Sequence, residues 1–149
     1  MEEIAEKSLR ILYKYIREKF SERNYHEVDS DEEFRELYGG QGIYALLTSG
    51  LPCLYDANRR IIFIPSMYYL SKSEGSDCSK ILVAVAHEVG HHLSYNNCKR
   101  TQELINGTTR TLDDREEIEV LADEEADRLL KKLGITDKYH EIRERLRRQ

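Results

Sequence analysis

The chain has no tryptophan, two prolines, three phenylalanines and three cysteines, and its longest apolar run is the six residues from Ile81 to Ala86. A membrane-spanning helix needs about 20 consecutive apolar residues, so no segment is expected to cross a bilayer. Cys53, Cys78 and Cys98 are too few and too widely spaced for a disulfide framework or a CxxC zinc knuckle, and reduced thiols are expected. Without a repeat, a low-complexity stretch or a proline-rich segment there is no sign of an interdomain linker, and 149 residues suffice for one ordinary core. The opening residues Met1-Glu2-Glu3-Ile4-Ala5-Glu6 are acidic where an export signal would be basic and then apolar, which makes a cytoplasmic protein the expectation.

Charge is what the sequence has in abundance, at 34% of residues. From Asp113 to Asp127 there are nine carboxylates and one base, Arg115, a local charge of -8 in a chain of net charge -5. Bases gather near the end (Lys138, Arg143, Arg145, Arg147, Arg148), but Asp137, Glu141 and Glu144 interleave with them, as on a solvated helix face. Nucleic acid is therefore not an expected partner.

Ile4, Leu9, Leu12, Tyr13, Ile16 and Phe20 recur at helical spacing and predict an amphipathic helix over 2–20. Asp29 or Ser30 can cap a short helix through Phe34 and Leu37, which Gly39-Gly40 would stop. Cys53-Leu54-Tyr55, the turn-like Asp56-Ala57-Asn58 and the run Arg60 to Pro65 read as a β-hairpin whose second strand is buried on both faces. Residues 65–77 fit no single pattern. Beyond them the spacing predicts helices from Ser79 to Tyr95, from Thr101 to Asn106, from a cap at Asp113 or Asp114 to Leu133-Gly134, and from Thr136 through Tyr139, Ile142 and Leu146. The whole is an α+β fold in one domain, 1–149, with a core from about residue 40 to 134 and terminal helices, 2–20 and 136–148, that pack or regulate.

His87-Glu88-Val89-Gly90-His91 is an HExxH motif inside the fourth of these segments. At about 100° per residue His87 and His91 lie about 40° apart with Glu88 on the same side, while Leu82, Val85, Ala86, Val89 and Leu93 gather opposite. One face can enter the core while the other offers two imidazoles one turn apart, as a zinc ion requires of a single helix. Gly90 costs about 1 kcal/mol of helix stability against alanine, which calls for a packing reason. His92 should point to the flank, partly exposed.

A third ligand must come from elsewhere. Ser94 and Asn97 stand where a metzincin would have its glycine and third histidine, which excludes that arrangement. In the acidic helix Ile118, Ala122, Ala126, Leu129 and Leu133 form an apolar stripe, with Glu119 and Asp123 on its edge and Glu117, Glu124 and Arg128 pointing to water. Two carboxylates heading inward are costly unless a dication receives them. Glu119 is thus the expected zinc ligand, with Glu116 its rival, and Asp123 is expected to accept a hydrogen bond from the far nitrogen of His87 or His91. Three protein ligands leave a fourth position for water, the mark of a catalytic site holding one zinc per chain. Zinc lowers the pKa of water towards about 7, and Glu88 would take its proton and return it to the departing amine. Tyr95, Tyr68, Tyr69 and His140 are candidates for the donor that stabilises the oxyanion.

The pair of motifs resembles a known family. HExxH followed by a glutamate helix is the gluzincin arrangement, and Glu119-Val120-Leu121-Ala122-Asp123 is similar to the ExxA(N/D) signature of the ImmA/IrrE-like peptidases and the archaeal minigluzincins, in which HExGH is also typical. The likeness runs from the hairpin near Leu54 to about Leu133. It implies a minimal zincin-like domain, a small mixed sheet against the HExxH and glutamate helices, that hydrolyses a peptide or protein. It also implies that a terminal segment can hold the enzyme latent, and self-association is the alternative expectation. The alternative from another class is a catalytically silent, zinc-containing regulator that binds peptides without cutting them. A third reading makes the histidines buried polar residues of an interaction domain that holds no metal.

Overall fold

Ile61–Pro65 is the most apolar strand of the chain and takes the centre of the sheet. In the computed structural model, which describes residues 2–38, 53–72, 78–107 and 111–148, the element order is α1 (Glu2–Lys19), β1 (Tyr25–Val28), α2 (Asp31–Tyr38), β2 (Leu54–Asp56), β3 (Ile61–Pro65), α3 (Met67–Lys72), α4 (Cys78–Asn97), α5 (Lys99–Asn106), α6 (Leu112–Lys132) and α7 (Thr136–Arg147). The fold is α+β, as the sequence predicts. Strand order is β1-β3-β2, with β1 parallel and β2 antiparallel to β3.

Side chains alternate across a strand, so β3 serves two layers at once. Ile62 and Ile64 enter the main core against the helices, whereas Phe63 packs with Val28 and Phe34 in a smaller cluster on the other face. The two-sided burial expected for this strand is therefore present. Its hairpin partner β2 is reached through a turn in which Asp56 Oδ1 accepts from the backbone N–H groups of Asn58 and Arg59 at 3.0 and 3.2 Å. β1 has no counterpart in the predicted elements. It is four residues long with two polar side chains, too short for its alternation to register, and pairing with β3 makes it a strand.

The main core joins the terminal helices to the centre of the chain. Ala5, Leu9, Leu12, Tyr13 and Ile16 of α1 are buried, and Tyr139 and Ile142 bring α7 into the same cluster. Each fully buried aliphatic side chain contributes about 1.5–3 kcal/mol, so neither helix is an appendage. Ile4, expected in the α1 stripe, is exposed, and Ala5 takes the inward place. Within the stretch 65–77 that fits no single pattern, Met67–Lys72 forms α3, whose first turn is satisfied by Ser66 Oγ accepting from the Tyr69 N–H, and 73–77 lie outside the described residues. The stop at Gly39-Gly40 lies outside the described residues.

The two longest helices, α4 and α6, lie against each other at Gly90. A Cβ built there would collide with the Ala122 carbonyl oxygen and stand 3.0 Å from the Ala126 Cβ. Thr111, not Asp113 or Asp114, caps α6: its hydroxyl accepts from the Asp114 N–H, and Asp114 accepts in return from the Thr111 N–H. The helix ends in a Schellman turn with Gly134 at φ 78, Gly134 N–H donating to Lys131 and Ile135 N–H to Leu130.

Gly90→Ala sets two effects against each other. Alanine gains about 1 kcal/mol of helix propensity, but the obstacle is a helix backbone that cannot turn aside, and overpacking of that kind costs about 1–3 kcal/mol. The expected result is a lower unfolding midpoint in urea. A variant more stable than the wild type would show that α6 yields at no cost.

Candidate metal centre

α4 and α6 bring His87, His91 and Glu119 to one point. His87 Nε2 and His91 Nε2 are 3.0 Å apart, and Glu119 Oε2 lies 2.7 Å from the first and 3.2 Å from the second. Among the described residues these three form a group that could hold a metal ion. The imidazole planes cross at 84°. On the far side of the ring His87 Nδ1–H donates to Asp123 Oδ1 at 3.2 Å, which leaves Nε2 as the ligating nitrogen. Of the two histidines the sequence left open, His87 is the one oriented by Asp123.

The expected residues are together, but the reason for Glu119 needs correcting. Its side chain is 55% exposed and that of Asp123 35%, so Glu119 approaches from the rim and burial does not force a dication on it. The convergent donors make the case. Glu116 lies outside the group.

Electrostatics in the cluster follow from contact. Accepting from His87 and His91 holds the Glu119 carboxyl well below the usual carboxylate range. The hydrogen bond to Glu119 lifts His87 to about 9 against the opposing effect of burial. Burial raises Glu88, with the two histidines and the Tyr55 backbone pulling the other way.

Tyr55 is a site neighbour that the sequence did not single out. Its ring stacks on His91 with an interplanar angle of 8°, and its hydroxyl is 3.3 Å from His92 Nδ1. His92 is not on an exposed flank. It is 4% exposed, with Phe20 against its ring and Asn96 at 3.0 Å from Nε2, and burial together with Arg60 lowers it to about 4. No periodicity in α4 marks that difference, because the covering residues Phe20 and Tyr55 come from other elements. Among the proposed oxyanion donors, Tyr95 O–H donates to Asn106 at 3.0 Å, Tyr69 O–H donates to Asp31, His140 pairs with Asp127, and Tyr68 stands exposed on α3.

No family model, curated protein or solved structure matches the chain. The resemblance to the gluzincins accordingly rests on the two sequence motifs. Among the described residues no helix is long and apolar enough to cross a membrane.

Without a cation between the ligands, His87 keeps its proton up to about pH 9, above its ordinary 6.5, so the stabilisation it gives is complete below 6.5 and lost as pH rises through 9. Glu119 has the opposite sign: its contribution is present above the ordinary 4.5 and lost as pH falls. A metal ion must displace the His87 proton. Uptake at pH 7.5 should release about one proton, with affinity rising about tenfold per pH unit up to pH 9. Calorimetry in buffers of different ionisation heat reads this directly, and a buffer-independent heat would contradict it.

Proposed function

We propose that the chain is a zinc-dependent metallopeptidase of the gluzincin type, holding one zinc through His87, His91 and Glu119 and acting on a peptide or protein. The observation that carries this reading is the convergence of two imidazole nitrogens and one carboxylate with Glu88 held beside them. In a tetrahedral zinc site with bonds of about 2.0–2.1 Å, neighbouring donors stand about 3.3 Å apart. The separations here, 2.7 to 3.2 Å, suit an ion of that size after a small outward adjustment. A nitrogen-rich set with one carboxylate favours zinc over the oxygen-seeking calcium and magnesium.

Bound zinc would supply a Lewis acid for the scissile carbonyl and a water of lowered pKa. The residues do the rest. Glu88 accepts the proton of the attacking water and passes it to the leaving amine. Its pKa, raised by burial, fits the first of these tasks, since a more basic carboxylate takes the proton of the water more readily. Asp123 keeps the His87 proton on Nδ1.

Two features support a peptide as substrate. Among the described residues β2 pairs on one side only, with β3, and an extended peptide can add to such a strand through its main chain. Beside Glu119 an open cleft of about 780 Å³ is lined by Leu112, Arg115, Glu116, Ile118 and Val120. Leu112 and Val120 are 76% and 54% exposed, and an apolar substrate side chain would cover them. We place the protein in the cytoplasm, with its three free cysteines in support.

Glu88→Gln should retain zinc and lose about 10²–10⁴-fold in peptide cleavage, whereas Glu119→Ala should lose the metal. Metal content by mass spectrometry and turnover of a mixed peptide library measure the two separately. Wild-type protein that holds zinc and cleaves nothing would leave the silent peptide-binding regulator. Wild-type protein that refuses zinc would end both readings.

A further inference from the structure

Asp123 has two oxygens and two tasks. Oδ1 accepts from His87 Nδ1 at 3.2 Å, and Oδ2 accepts from Arg143 Nη2 of α7 at 3.3 Å. The neighbouring carboxylate one turn on, Asp127, is taken by His140 at 2.6 Å, so Arg143 and Asp123 are left to each other. Arg143 is held in place by its surroundings. Tyr139, one turn before it, and Ile142, next to it, are buried in the main core, and its own side chain is 27% exposed where that of Arg148 near the end of the chain is 76%.

We propose that Arg143 is a positioning residue of the metal centre, fixing the Asp123 carboxylate against His87 so that the C-terminal helix takes part in setting metal affinity. The inference rests on the metal-centre reading above. The physical need is specific. His87 can ligate through Nε2 only if its proton stays on Nδ1, and the acceptor that keeps it there sits half-buried at a helix edge with two torsions to be fixed. In that acidic segment the neighbouring carboxylates repel Asp123 and favour its swinging out to water. A guanidinium on the opposite oxygen removes that choice while adding little to overall stability, as expected of a partly exposed ion pair.

The test uses the full chain and compares wild type, Arg143→Gln, Arg143→Lys, Asp123→Ala and the double variant Arg143→Gln/Asp123→Ala. Zinc affinity is read by competition with a chelating dye, and ligand geometry by the visible absorption of the cobalt(II)-loaded protein. Arg143→Gln should weaken zinc by about tenfold, the lower end of what loss of an outer partner costs, and should shift the cobalt bands. Arg143→Lys, which keeps the charge, should recover most of that loss. In the Asp123→Ala background Arg143→Gln should change nothing further, because its effect passes through that carboxylate. Unaltered affinity and cobalt spectrum in Arg143→Gln, or an undiminished loss in the double variant, would overturn the proposal. Wild-type protein that binds neither zinc nor cobalt would instead overturn the metal centre itself.

Discussion

At Gly90 the backbone of α6 crosses α4 so closely that the Ala122 carbonyl stands where a side chain would otherwise be. The residues of the centre are arranged about that crossing. His87 and His91 lie three before and one after Gly90, and Glu119 and Asp123 lie three before and one after Ala122. Positions so spaced share one edge of a helix, so a single close contact turns the ligating edge of α4 towards the ligating edge of α6. Any gap at the crossing would part Glu119 from both histidines. The small residues Gly90, Ala122 and Ala126 are thus as much a condition of the site as the side chains that converge there.

Charge imposes the second constraint. An acidic segment of net -8 repels itself, and the structure distributes that strain among different partners. Arg100 from α5 takes Glu117 in a two-point contact of 2.7 and 2.9 Å, His140 takes Asp127, Arg143 takes Asp123, and Glu119 turns to the two histidines. Partners come from α5 and α7, on either side of α6 in the chain, so both neighbours help to hold the glutamate helix in its register. A dication among His87, His91 and Glu119 would complete the same pattern of compensation.

What the sequence made legible and what it concealed divide along physical lines. The HExxH face, the two-sided burial of Ile61 to Pro65 and the edge position of Glu119 follow from periodicities of 3.6 and 2, which are local properties. The burial of His92 is hidden because the residues that cover it, Phe20 and Tyr55, come from the segment after α1 and from β2. β1 escaped notice because a four-residue strand owes its conformation to the partner it joins. Tyr55 carries no motif, yet its ring lies along His91 and its hydroxyl reaches His92. The exposure of Glu119 was misjudged for a related reason: an edge position on a wheel gives direction around the helix, and what stands beyond that edge is decided by the neighbouring helix.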